Sequence, residues 1–162
     1  MSSNPGVPLC WLRRCAAGLL LLLTGCSHLP PTSSVVIPPV SAGAARIWIY
    51  RDGGVYDNLE RPYLRFNSQV AGISEPNGAF YRDVPPGHYI VSVDSYGVPY
   101  PNQFTGVDLA AGQVAFVKVL SMRERVGGGG ESVASRALFF TQLVAADAGR
   151  AAIATTPFYG SS

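Results

Sequence analysis

The sequence predicts an all-β domain: a small antiparallel β-sandwich of about seven strands, with a short helical segment at its C-terminal end. Three observations carry that expectation. Short β-branched and aromatic runs recur from residue 46 to residue 144, and clusters of Gly, Pro, Asn and Asp separate them at close spacing. The alanine-rich stretch 145–154 alone has a helical composition, and Gly149 in its middle weakens it. Apolar residues at 48% and charged residues at 14% are enough for a core and argue against a disordered chain.

The first element is not part of the domain. Residues 16–23 form an apolar run of eight, preceded by Arg13 and Arg14. That is far short of the ~20 residues a membrane-crossing helix needs, and it suits the central region of a signal peptide. Leu23-Thr24-Gly25-Cys26 follows and resembles the bacterial lipobox, an aliphatic residue and two small ones before a cysteine. The resemblance implies that the Cys26 thiol receives a diacylglyceryl group, that the peptide is cut before it, and that the new amino terminus takes a further acyl chain such as palmitate. Two or three chains, at ~0.8 kcal/mol per buried CH₂, hold a protein stably at a membrane. The alternative is a buried helix in which Cys26 is a small hydrophobe. Cys10 and Cys15 would leave with residues 1–25, so no disulfide framework is expected. Ser27 after the cysteine points to the outer membrane, facing the periplasm, if the enteric sorting rule applies.

Residues 26–45 carry the proline pairs Pro30-Pro31 and Pro38-Pro39 and read as an extended, semi-rigid spacer. The alternative is that Val35-Val36-Ile37 adds an edge strand. The domain proper is expected over 46–154, with 155–162 a flexible tail. Its strands begin with 46–51, closed by Asp52-Gly53-Gly54, followed by 63–66 and 69–73 around Asn67-Ser68. Residues 78–84 and 88–94 read as a hairpin across Pro85-Pro86-Gly87, a sequence suited to a type II turn. There Tyr89, Val91 and Val93 are the expected inward set, with Ile90 interrupting the polar face. Residues 107–109 are a short strand candidate, while 113–120 and 136–144 are longer ones. In 113–120, Lys118 shares a face with Phe116, so Ala115, Val117 and Val119 should point inward.

The order of Arg46-Ile47-Trp48-Ile49-Tyr50-Arg51, Val70-Ala71-Gly72, the segment Phe80 to Tyr89 with its Pro86-Gly87, Ala111-Gly112-Gln113 and Leu143-Val144 resembles the bacterial lipoprotein family called domain of unknown function 2846. The resemblance covers about 45–154. It implies a small envelope lipoprotein with a sandwich domain similar in pattern to transthyretin-like and Ig-like sandwiches, and supplies no catalytic residues. Asn67-Ser68-Gln69 stands where the family has an Asp-Gly type of turn, and Ala115-Phe116-Val117 replaces a more aromatic strand.

Composition and motifs exclude several functions. Two of the twelve basic residues precede Cys26 and all ten acidic residues follow it, so the remainder is formally neutral, with Lys118 its only lysine. Such a module is a poor binder of nucleic acid phosphates. No nucleophile elbow, His-Glu-x-x-His or phosphate-loop lysine occurs, so neither cofactor nor catalytic residue is expected. His88 beside a turn reads as a polar strand residue rather than a general base. Asp52, Asp57 and Glu60 lack calcium-loop spacing and are flanked by Arg51 and Arg61, so ion pairs rather than a metal are expected. Tyr96, Tyr100 and Phe104, in a proline-stiffened loop, and Tyr56 in the 52–62 loop are the candidate interaction surface. The same rings could instead fold back and seal the end of the sandwich. The expected protein is a non-catalytic, membrane-anchored envelope lipoprotein that binds or scaffolds a protein or glycan. An accessory subunit of a secretion or transport machine and a hydrolase with an unrecognised site are the alternatives.

Overall fold

Strand β1 (Ala45–Arg51) is buried along its whole length, which requires cover on both faces. The computed structural model describes residues 29–54, 59–95, 103–126 and 134–160, and these supply the cover as a two-sheet sandwich. The remaining strands are β2 (Tyr63–Phe66), β3 (Gln69–Ile73), β4 (Gly78–Val84), β5 (Gly87–Val93), β6 (Phe104–Leu109), β7 (Val114–Val126) and β8 (Ala134–Val144), followed by helix α1 (Ala146–Thr155). Sheet one has the order β4-β1-β7-β8 and sheet two β3-β2-β5-β6. The described strands are thus eight rather than about seven.

Alternation along β1 feeds both sides. Ile47 and Ile49 meet Leu64, Phe66, Val91, Val93, Val107 and Leu109 of sheet two in the main core, and Ala115, Val117 and Val119 join them as their spacing predicts. Trp48 and Tyr50 face the other way. With Ala79, Tyr81 and Phe116 they form a second apolar cluster beneath Ile153 of α1. Phe116 is therefore buried although it shares a face with Lys118, because the helix covers that face. Tyr89 is half-buried against the core, and its hydroxyl donates to the Pro85 carbonyl (2.7 Å).

Two connections differ from expectation. The segments around Pro85-Pro86-Gly87 are not a hairpin: β4 belongs to sheet one and β5 to sheet two. Prolines at both linking positions carry no N–H to close a ladder, and the chain turns a corner between the sheets. Gly87 takes a φ of 157°, outside the range that a type II turn requires. One pairing is also parallel, between β1 and β7. Both strands start at the same end of the sandwich, because β7 is entered from β6 of the opposite sheet through residues 110–113. The Asn67-Ser68 turn has positive φ at both residues (48° and 71°), the type I′ pattern of a two-residue hairpin. Asparagine does more there than tolerate the backbone: its Oδ1 accepts from Ile90 N (2.8 Å), tying the turn to β5.

The segments expected to be a free spacer and a loose tail are, from Pro30 and as far as Gly160, part of the folded body. Pro31 pairs antiparallel with Pro157, Thr32 N donates to Thr156 O (2.9 Å), and Phe158 N donates to Pro30 O (2.9 Å). The tail in turn runs parallel to β4, where Ala79 N donates to Pro157 O (2.8 Å) and Tyr159 N to Ala79 O (3.0 Å). An exposed strand edge invites pairing with another chain; here both ends of the domain cover it. The added pairing falls at Pro31 and not at 35–37. Ile37 instead packs on the Trp48 cluster, and Pro38 O accepts from Arg46 Nη1 (2.7 Å). Leu23, Thr24, Gly25 and Cys26 lie outside the described residues.

Candidate binding surfaces

The two faces of the sandwich are treated differently. Over sheet one lie α1, Ile37 and Phe158. No described element lies over sheet two, whose outward side chains follow from its register. Arg65 stands opposite Ser92, Ser92 opposite Phe104, Ile90 opposite Gly106, and His88 opposite Asp108, with Tyr63 beside Ile73 and Val70 beside Arg65 on the β3 side. Phe104 is 54% and Val70 55% exposed, and Tyr63, Ile73 and Ile90 are also exposed. Between them Arg65 makes a bidentate pair with Asp94 (2.8 and 2.9 Å). That bond holds the guanidinium above its usual range. The result is a mixed apolar and polar face, the composition of a non-obligate interface.

Of the sequence-derived candidates, Phe104 is on this face at the start of β6. Tyr56, Tyr96 and Tyr100 lie outside the described residues. The loops that hold them, 52–62 and 94–103, leave from the same end of the sandwich, where Arg51 Nη1 donates to Glu60 O (2.7 Å) and the Ser95 hydroxyl contacts the Phe139 backbone. Sequence reasoning missed Tyr63, Val70 and Ile73. Besides Phe104, it registered Ile90, an apolar residue at an outward position.

A second concavity of about 520 Å³ opens at the far end, lined by Phe66, Val70, Val84 and Tyr89 with Arg82 and Asp83 on its wall. Its two charged residues have different partners. Asp83 is clamped by Arg46 (2.6 and 2.8 Å), which holds the carboxyl below its usual range. Arg82 is held by carbonyls and a ring: its Nε donates to Ala71 O (2.7 Å), its Nη1 to Tyr81 O (3.1 Å), and it lies over the Phe80 ring. Burial pushes that guanidinium below its usual range. Arg82 is thereby tied to the edge carbonyl of β3, a structural duty it would keep with any ligand.

The remaining chemistry-bearing residues are held in pairs. His88 Nδ1 lies 2.7 Å from Asp108 Oδ1 across β5 and β6, both exposed. The 52–62 segment carries ion pairs, as its sequence suggested. Asp52 pairs with Lys118, Arg61 with Glu75 (2.8 Å), and Arg51 is fully buried with its guanidinium on backbone carbonyls and over the Phe139 ring. Asp57 lies outside the described residues. Among the described residues no three His, Cys, Asp or Glu side chains gather as a metal site.

No family model, curated protein or solved structure matches the chain.

Proposed function

We propose that the chain is a lipid-anchored lipoprotein of the bacterial cell envelope whose β-sandwich binds or scaffolds another envelope component, protein or glycan, without catalysing a reaction. The lipobox-like Leu23-Thr24-Gly25-Cys26 after a short apolar run supports the anchor, with Ser27 favouring the outer membrane. The motif order that resembles domain of unknown function 2846 is in keeping with an envelope role. No described helix is long and apolar enough to cross a membrane, which says nothing of a β-barrel. The observation that carries the binding role is the outer face of sheet two, over which no described element lies and on which Phe104, Val70, Tyr63, Ile73 and Ile90 are exposed, while α1, Ile37 and Phe158 lie over the Trp48 cluster on the opposite face.

The test is in-cell photo-crosslinking from Phe104 and from Val70, with Asp147 at the start of α1 as the control position. A discrete adduct from the two sheet-two positions and none from the control is expected. Equal or absent adducts from all three, in cells where the protein is acylated, would remove the sheet-two face as the binding surface. Cys26→Ala should abolish acylation and membrane fractionation. Retention of both would refute the anchor.

A further inference from the structure

We propose that the concavity between the β3 and β4 edges is a binding site for a small organic anion, a carboxylate on an apolar body, with Arg82 as the group that grips the acid. The site depends neither on the Cys26 anchor nor on a partner at the sheet-two face, so it goes beyond the scaffold reading above.

The gap has a local cause. Near the 74–77 connection the two sheets touch, because Gly72 carries no side chain and the Phe80 ring fills the space where its Cβ would stand, 2.7 Å from Cζ. One step along, the two edges are joined by a side chain rather than a ladder. The register of β2 against β3 shifts between Leu64 and Arg65, which pair with Gly72 and Val70, so Ala71 is the extra residue of a β-bulge. A bulge frees a backbone group from its own ladder and re-aims it. Here Ala71 O accepts from Arg82 Nε (2.7 Å) across the gap. Beyond that bridge the edges part, and the opening is the concavity of about 520 Å³, within the ~300–1,000 Å³ range of small-molecule sites. A third strand does not suit it: Ala71 O is already taken, and Pro85 on the opposite wall has no N–H to offer.

The walls are held before any ligand arrives. The Tyr89 hydroxyl donates to Pro85 O (2.7 Å), its ring meets Phe66 edge-on at 6.1 Å between centroids, and Asn67 Oδ1 accepts from Ile90 N. Such fixing reduces the ordering cost of binding. Phe66, Val70, Val84 and Tyr89 offer apolar surface, and Arg82 supplies the charge. A guanidinium has five N–H donors. Nε and one donor of Nη1 are bonded to Ala71 O and Tyr81 O, and the remaining donors meet no partner among the described residues. They suffice for the planar, bidentate grip that a carboxylate takes, while the Ala71 bond and the Phe80 ring (5.0 Å) hold the fork in place. Asp83, the carboxylate on this wall, is neutralised by its pair with Arg46 (2.6 and 2.8 Å), so it does not cancel Arg82. Burial acts in the same direction: it lowers the Arg82 guanidinium from its usual range, and an arriving anion offsets that desolvation.

The experiment irradiates the full chain, as isolated from cells, with para-benzoylbenzoate, a carboxylate that crosslinks through its benzophenone, and maps the adducts by mass spectrometry. Saturable labelling within the lining segments 66–71 and 82–89 is expected. Phenylbutanoate should compete, and the uncharged phenylbutanol should not. Arg82→Gln removes the grip and should lower labelling by about tenfold or more, the value of a charge-assisted hydrogen bond. Because that variant also loses the Ala71 tie, Gln69→Glu supplies a second arm. Gln69 is exposed on the lining, the change is isosteric, and the added carboxylate should lower labelling severalfold at unchanged Tm. Adducts elsewhere on the chain, equal competition by the alcohol, or labelling indifferent to Gln69→Glu would overturn the site. None of these outcomes touches Cys26 acylation or the sheet-two crosslinks.

Discussion

Replacing Gly149 by alanine sets two effects of opposite sign against each other. In a solvated helix the change stabilises by about 1 kcal/mol, because alanine has the better helix propensity. Gly149 is not solvated. It lies buried on the side of α1 that faces sheet one, and a Cβ built there falls 2.4 Å from both Cβ and Cγ of Phe116 and 2.8 Å from Cδ1. Those atoms are the root of a ring on the central strand β7, so they cannot swing aside as a flexible side-chain end would. Ordinary carbon contacts lie at about 3.5–4.0 Å, so relief requires a displacement of about 1 Å, and a gap of that size forfeits a quarter to a half of each neighbouring contact. Ile153, on the same helix face, would lose its seat against the Trp48 cluster.

Overpacking of this kind costs typically 1–3 kcal/mol. Set against the propensity gain, the expected net effect of Gly149→Ala is a destabilisation of about 1 kcal/mol, read as a Tm lowered by about 2–4 °C at this chain length. Thermal unfolding of purified protein followed by circular dichroism measures it. A Tm that rises would show that α1 does not press on Phe116 and would refute the packing described for the outer face of sheet one.

Three further outcomes follow from the structure. Asp83→Asn should destabilise by about 1–2 kcal/mol at pH 7, since it leaves the buried Arg46 cation without its carboxylate. Because Arg46 holds the folded-state pKa of Asp83 below the ordinary carboxylate range, that stabilisation is present above the ordinary carboxylate range and is lost as pH falls through the lower folded value. Urea titrations from pH 7 to pH 2 should show a flatter acid limb in the variant. Tyr159→Phe should cost about 1–2 kcal/mol, by removing the hydroxyl that donates to Ile73 O (2.6 Å) and accepts from Glu75 N (3.1 Å). Burial raises the Tyr159 phenol well above its usual range, so its contribution is complete below pH ~10 and declines as pH climbs toward the folded value; alkaline melts should show less loss in the variant. Deletion of residues 156–160 should uncover the β4 edge and yield concentration-dependent oligomers on size-exclusion chromatography. A monomer of unchanged Tm would mean that the tail does not pair there.

The sequence exposed local pattern and concealed long-range pairing. Alternation placed Ala115, Val117 and Val119 inward because a strand's side-chain period is fixed by its own backbone. The helix over Ala146–Thr155 was visible from alanine content, although the reason for Gly149 inside it lay in Phe116, on another element. Pro85-Pro86-Gly87 read as a hairpin since turn chemistry is local, whereas the sheet that each flanking strand joins is decided by partners far along the chain. The same limit explains the ends. Thr32 and Thr156 bond across 124 positions, and neither residue type announces such a partner. Arg51 read as a surface charge beside the loop acids, and Arg46 as one residue of the first strand. Their burial at the two ends of β1 depends on Asp83 and on the carbonyls of Glu60 and Ser74, which only the tertiary fold brings near.

Why the chain ends cover sheet one and not sheet two follows from what each face carries. Trp48, Tyr50, Tyr81 and Phe116 on sheet one are large rings, each able to bury ~150–250 Å², and at ~25 cal/mol per Å² leaving them wet would forfeit several kcal/mol. On sheet two the apolar side chains are separated by Arg65, Ser92, His88, Asp108 and Gly106, so that face is tolerable in water and still has apolar area to bury. The core and the aromatic cluster are closed by the chain's own residues, and the 157–160 tail pairs along the start of β4. A face that is not needed for folding can lose Phe104 or Val70 without unfolding the protein, which is what allows binding at that face to be separated experimentally from stability.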